Sequence, residues 1–186
     1  MNLLNESLES ERLKLVPLKK EYREEIFKEF TPEITVFMYP RPPKNIEETD
    51  KFISQALEKL ERGQDLQMVV LDKNSNEFMG CAGLHDVNTP TPEMGIWLKK
   101  SAQGKGRGLE TMRVLKKWAD INLGYDYILY PVADKNIASR RIAEALSGNI
   151  AREYDQTGLA GNKYHCLEYR IKKEPQGNAD YFSRSI

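Results

Sequence analysis

Three glycines fall within five positions, Gly104, Gly106 and Gly108, in the segment Gln103-Gly104-Lys105-Gly106-Arg107-Gly108. An apolar run ends just before this segment and a long helical pattern begins just after it. Glycine removes the Cβ where a backbone must turn sharply or approach another group closely. Amides in the first turn of a helix have no intrahelical partner, and the helix dipole adds partial positive charge there. A strand–turn–helix unit of this kind suits an anion such as a pyrophosphate. Lys105 and Arg107 add positive charge. The competing reading is a solvated glycine turn that only caps a helix. The spacing speaks against two common phosphate loops. The G-x-x-x-x-G-K-[ST] pattern is absent, and a G-x-G-x-x-G pattern begun at Gly104 would put Leu109 at its last glycine.

The surrounding pattern is mixed α/β. Residues 12–18 (RLKLVPL) alternate and predict a strand, and Tyr22, Ile26, Phe27 and Phe30 follow at helical spacing. After the turn-rich YPRPPKN, Asn45 is placed to cap a helix with Glu48 three residues on, and Gly63 to end it. Ile53, Ala56, Leu57 and Leu60 form its expected buried stripe. Residues 66–72 and 78–86 read as strands joined by the turn KNSNE, and 93–99 as another. The long helix carries Met112, Leu115 and Ala119 on one face and is expected to stop at Gly124. DYILYPV is a strand. A shorter helix at 137–147 directs Ala138, Ile142, Ala145 and Leu146 inward, and REYD and HCLEYRIK close the sheet. Phe27 and Phe52 read as core, as do the thiols of Cys81 and Cys166. Residues 1–173 are expected to form one domain and 174–186 a loose tail.

Charge narrows the function. Lys and Arg number 28, Asp and Glu 28, so no long-range field favours a polyanion and nucleic acid is not an expected partner. No apolar stretch approaches the roughly 20 residues that span a bilayer, and the acidic N-terminus does not read as a signal peptide. Two distant cysteines suggest neither a metal site nor a disulfide framework, and a reducing, cytoplasmic setting is expected.

Gln103-x-x-Gly106-x-Gly108 resembles the Q/R-x-x-G-x-G/A motif of the GNAT superfamily of N-acetyltransferases. The segments Glu93-Met-Gly-Ile-Trp-Leu98, Glu11-Arg12-Leu13-Lys14-Leu15 and Thr31-Pro32-Glu33-Ile34-Thr35 resemble the branch that acetylates the N-terminal alanine or serine of ribosomal proteins, as do Glu110 and Asn136-Ile-Ala-Ser139. The likeness runs over residues 8–172. It implies a GNAT-like mixed α/β (α+β) fold. This is a mostly antiparallel twisted sheet of about six to seven strands flanked by about four helices, with a splayed strand pair holding the cofactor. The splayed strands would be 93–99 and 126–132.

The same resemblance implies acetyl-CoA as co-substrate, with no metal. Ile96, Trp97 and Leu98 would contact its pantetheine arm, Gln103, Gly104, Lys105, Gly106, Arg107 and Gly108 its pyrophosphate, and Asn136 the arm from the other side. The expected reaction is attack of a neutral amine on the thioester. Alkyl amines titrate near ~10.4 and α-amines near ~8, so the site must take up a proton or select the neutral form. Glu93 shares a strand face with Trp97 and is the leading base, the alternative being an ion-paired strand-edge carboxylate. His85 and Tyr39 are candidates for substrate contact, and His85 for proton relay. Many family members use a Tyr on the last helix as general acid. Ala143 holds that position here and Ser139 takes the expected role; Lys99-Lys100 replaces a turn that carries Glu in some relatives. The acceptor would be an amine-bearing peptide N-terminus or small molecule, and the protein a monomer or homodimer. The alternatives are a non-catalytic acyl-CoA sensor and a phosphate-binding protein unrelated to coenzyme A.

Overall fold

The computed structural model describes residues 2–173, so the expected tail at 174–186 lies outside the described residues. Eight strands form one sheet: β1 (Leu8–Glu9), β2 (Leu13–Pro17), β3 (Leu66–Asp72), β4 (Phe78–His85), β5 (Glu93–Leu98), β6 (Tyr127–Ala133), β7 (Asn149–Thr157) and β8 (Lys163–Lys172). Their spatial order is β1-β2-β3-β4-β5-β6-β8-β7. Every neighbouring pair is antiparallel except β5 and β6. Five helices accompany them: α1 (Arg23–Glu29), α2 (Pro32–Thr35), α3 (Ile46–Arg62), α4 (Arg107–Asn122) and α5 (Ile137–Ala145).

The sheet is thus one strand larger than expected and carries one further helix. The additions, β1 and α2, span two and four residues. Neither is long enough to show a hydrophobic period.

The two faces of β5 sort the helices. Trp97 packs at a tilt against Phe30, which follows α1, with ring centroids 4.9 Å apart. The alternate residue Leu98 lies on the other face beside Gly108 of α4. Helices α1 and α3 therefore cover one side of the sheet and α4 and α5 the other, with the core between. Leu15, Val70, Met68, Met112, Leu115, Ala119 and Ile128 are fully buried.

Local chemistry explains the long helices. Asn45 caps α3 by accepting the Glu48 amide at 3.1 Å, and Gly63 closes it in the left-handed region at φ 64°. Thr49, Ile53, Ala56 and Leu60 make its buried stripe, which leaves Phe52 on the flank. Phe52 is 40% exposed and Phe27 half-buried, so neither is core. Helix α4 stops at Asn122 rather than running to Gly124, because the chain turns extended at Leu123 and buries that side chain. In α5 Ala143 is buried and Ile142 and Leu146 pack against the core as expected, while Ala138 and Ala145 are exposed. The helix is rotated so that Ile142 drops onto Gly108, where an added Cβ would sit 3.1 Å from its Cδ1. Among the described residues no helix is long and apolar enough to cross a membrane.

Candidate active site

Strand β5 pairs with β4 along its whole length, from Gly80↔Leu98 to His85↔Glu93. With β6 it shares a single parallel pair, Glu93↔Leu129. The junction is held below that pair, where the Leu129 amide donates to the Pro92 carbonyl and the Asp126 amide to the Pro90 carbonyl, both at 2.8 Å. From Met94 to Leu98 the strand has no β6 partner. An unpaired backbone edge inside a sheet can accept an added extended chain. Ile96, Trp97 and Leu98 lie on this stretch.

The glycine turn follows at its end. Gln103 donates its side-chain amide to the Leu98 carbonyl at 2.9 Å and so ties the turn to β5. Gly104 and Gly106 both have φ of 75°, a left-handed conformation that favours glycine. An added Cβ at Gly104 would meet nothing within 4 Å, so open space borders the turn there. Gly106 is the N-cap of α4, and no side chain caps the first amides. Gly108 lacks a Cβ for a different reason, the packing of Ile142. Lys105 is exposed. Arg107 is directed toward Asp72 (Nη2–Oδ2 3.5 Å), and its buried Nε has no partner among the described residues.

A second arginine stands at the turn. Arg12 donates through Nη1 to the Lys105 carbonyl at 3.2 Å, and Glu110 of α4 accepts from Arg12 Nε at 2.8 Å. Glu110 also accepts from the Ser10 hydroxyl at 2.7 Å and from the Arg12 amide. Burial alone would raise the Glu110 carboxyl; the bonds from Ser10 and Arg12 outweigh it and hold the group below its usual range.

Across the gap, Asn136 caps α5 by accepting the Ser139 amide at 3.2 Å. Ser139, in the first turn, lies close enough to the hydroxyl of Tyr130 on β6 to influence it. Burial pushes that phenol up to about 12, with Ser139 pulling the other way. A hydroxyl pair therefore stands on the α5 side, where the absent tyrosine of position 143 was the family expectation.

Glu93 and His85 are cross-strand partners at the opposite end of β5. Glu93 is open to solvent but crowded by protein. That crowding raises its carboxyl above the usual range, His85 opposes the rise, and Asp86 and Glu168 add to it. His85 is hydrogen-bonded through Nδ1 to Oδ2 of Asp65 at 3.0 Å. Asp65 is 2% exposed and also accepts from the Asp86 amide at 3.0 Å and from Lys59 at 2.9 Å. Burial alone would raise Asp65; these three donors prevail and hold it well below the usual carboxylate range.

The α1/α3 face of the same strands floors a cavity of about 400 Å³. Three cross-strand rows lie in it: Cys81 with Trp97, Gly83 with Gly95, and His85 at the polar end. Phe30, Met38, Pro40, Phe52 and Leu159 add apolar wall. Burial raises the Cys81 thiol, and Cys81 and Cys166 are free and buried. Tyr39 is 51% exposed and stands outside the lining, although its carbonyl accepts the Leu159 amide at 2.8 Å and so fastens the cavity rim.

Asp65, Arg12 and Tyr130 escaped the sequence reading. Asp65 sits in a helix-to-strand linker, GQD, that reads as turn composition. Arg12 is remote from the turn in sequence. Tyr130 reads as one more aromatic of a strand. Among the described residues no group of three or more His, Cys, Asp or Glu is placed to hold a metal.

A family model described as the acetyltransferase (GNAT) domain matches residues 12–148. Solved structures share the architecture. The spermidine N-acetyltransferase of Vibrio cholerae, in complex with CoA and spermine, superposes with TM-score 0.77 at 16% identity, covering 88% of this chain and 97% of that one. RimL, a ribosomal L7/L12 alpha-N-protein acetyltransferase in complex with coenzyme A, gives 0.78 at 17%, covering 89% and 96%. A GCN5-related N-acetyltransferase of Brucella melitensis gives 0.76 at 17%, covering 93% and 81%.

Proposed function

The chain belongs to the GNAT acetyltransferase family, and from that premise we propose that it moves an acetyl group from acetyl-CoA to a primary amine by direct attack on the thioester. One observation carries the reading. The backbone edge left open beyond Glu93↔Leu129 leads straight into a turn with two left-handed glycines and an uncapped helix start. The first suits an extended amide-bearing arm and the second a diphosphate. Acetyl-CoA would supply the acetyl group already activated as a thioester.

The chain's own residues divide the work. Gly104, Lys105, Gly106 and the first amides of α4 bind phosphate oxygens, and Arg12 steadies the turn at the Lys105 carbonyl. Gln103 fixes the turn to β5, and Gly108 lets α5 approach it. Ile96, Trp97 and Leu98 supply the strand edge, with Asn136 holding the start of α5 opposite. Glu93, directly or through a water molecule, takes the proton the amine loses. A raised carboxyl suits that role, because a base whose pKa moves toward neutral pH still exists as carboxylate and holds the proton better. His85 contacts the acceptor and assists the transfer. As nitrogen bonds to the carbonyl carbon, the carbon–sulfur bond breaks and the Ser139–Tyr130 pair delivers a proton to the departing thiolate. Backbone amides of β5 stabilise the oxyanion. Tyr39 belongs to the acceptor side through its hold on the rim.

The relatives in complex with CoA act, by their names, on spermidine and on ribosomal L7/L12; an amine acceptor here follows the same chemistry. The test is release of the free thiol of coenzyme A from acetyl-CoA on addition of amines and short peptides. Amine-dependent release is the expected result. Ala143 favours the second reading, an acyl-CoA sensor without turnover: tight calorimetric binding of acetyl-CoA with no release across the panel would establish it instead.

A further inference from the structure

We propose that the acceptor is a primary amine carrying an aromatic or branched aliphatic group close to its nitrogen, and not a polyamine. The assignment rests on the acetyl-transfer reading above and names the class of acceptor for that site.

The cavity floor is bare where it matters. Gly83 and Gly95 are opposite each other in register, and each lies on the cavity face between a polar row and an aromatic row. A side chain at Gly95 would narrow the space beside His85, and one at Gly83 would strike the Leu66 carbonyl. At one end stand His85 and Gln67, whose Nε2 lies 3.3 Å from the imidazole nitrogens. At the other, Trp97 stands against Phe30, their ring centroids 4.9 Å apart. Phe52 is left 40% exposed at the rim with Leu159, 58% exposed. The slot therefore has a polar head and a long apolar body, the complement of an apolar amine.

Charge argues against a polycation. Glu48 is the carboxylate in the lining, and Arg41 occupies both of its oxygens at 2.9 Å, while the Lys44 amide takes a third bond at 3.0 Å. Arg41 itself lines the cavity, its charge paired with Glu48. Asp65, behind His85, is already committed to three donors. A second or third ammonium group of a polyamine would find no unpaired carboxylate among the residues that line the cavity.

The experiment compares kcat/KM, by coenzyme A release, for phenethylamine, a peptide amide beginning with Phe, a peptide amide beginning with Ser-Ala, and spermidine. The two apolar amines are expected to exceed spermidine and the Ser-led peptide by about tenfold to a hundredfold. The ratio between them distinguishes a free amine from a peptide N-terminus as source. Gly95→Val tests the floor, since an added Cβ meets only His85 Nε2, at 3.8 Å, and the fold is expected to tolerate it. It should cut kcat/KM for phenethylamine about tenfold. Phe52→Ser, at an exposed position, should lower the apolar amines and spare spermidine. Equal or higher rates with spermidine or the Ser-led peptide overturn this assignment and leave acetyl transfer standing. No release with any amine overturns both.

Discussion

Nδ1 of His85 lies 3.0 Å from Oδ2 of Asp65, and the carboxylate is buried while the imidazole reaches the cavity. An ionised carboxylate only accepts, so Nδ1 carries the hydrogen of this bond. Asp65 thus positions His85 without touching substrate.

Replacing Asp65 by Asn tests that hold through stability. Its folded-state pKa is depressed, so its contribution is present above the unfolded value of about 3.9 and is lost as pH falls toward the folded one. At pH 7 the variant should be less stable by roughly 2 kcal/mol, because His85 and Lys59 lose a buried partner. Urea unfolding at pH 7 and at pH 3 checks this. The gap between the proteins should shrink at the lower pH; an equal gap at both would show that the charge on Asp65 is not what stabilises.

Glu93→Gln should separate activity from stability. The Glu93 carboxyl is raised in the folded state, so ionising it costs stability as pH climbs through that raised value. The glutamine variant should therefore melt at the same temperature or higher at pH 8, yet lose about a hundredfold in kcat. A variant with unimpaired kcat would remove Glu93 from the proton path.

The turn can be probed by charge alone. Gly104 borders open space at φ 75°, a conformation Asp and Asn tolerate better than other residues. Gly104→Asp should weaken acetyl-CoA binding about tenfold and Gly104→Asn far less, with the difference fading in high salt. Calorimetry at two ionic strengths reads this. Equal effects of Asp and Asn would mean that the turn does not face phosphate.

Gly83 and Gly95 share a row but differ in what surrounds them. A Cβ at Gly83 would lie 2.7 Å from the Leu66 carbonyl oxygen, backbone that cannot yield. Gly83→Ala should cost about 1–3 kcal/mol and Gly95→Ala much less. Thermal unfolding of the two variants decides it.

Much of this was legible in the residues. The α3 cap at Asn45, its stop at Gly63 and the strands at 66–72 and 93–98 follow from local chemistry that tertiary packing does not override. The glycine turn was equally plain. What stayed hidden depends on contacts far apart in the chain. Arg12 meets Lys105 and Glu110 across about ninety residues of sequence, and Asp65 meets His85 across a hairpin. The inward face of α5 was half legible: Ile142 and Leu146 pack on the core, but Ala143 is buried in place of Ala138 and Ala145, with Ile142 against Gly108 of another helix. Phe52 read as core for its apolarity, yet the stripe that α3 buries passes it by. The apolar cavity owes its floor to two glycines whose pairing only the strand register reveals.

The most direct measurement is titration of uniformly ¹⁵N-labelled protein with acetyl-CoA, following backbone amides by NMR. The account predicts the largest shifts in two runs, residues 95–98 of β5 and residues 104–108 of the turn, with Asn136 and Ser139 following. Saturable binding that leaves both runs unmoved, or no binding at millimolar acetyl-CoA, would contradict it.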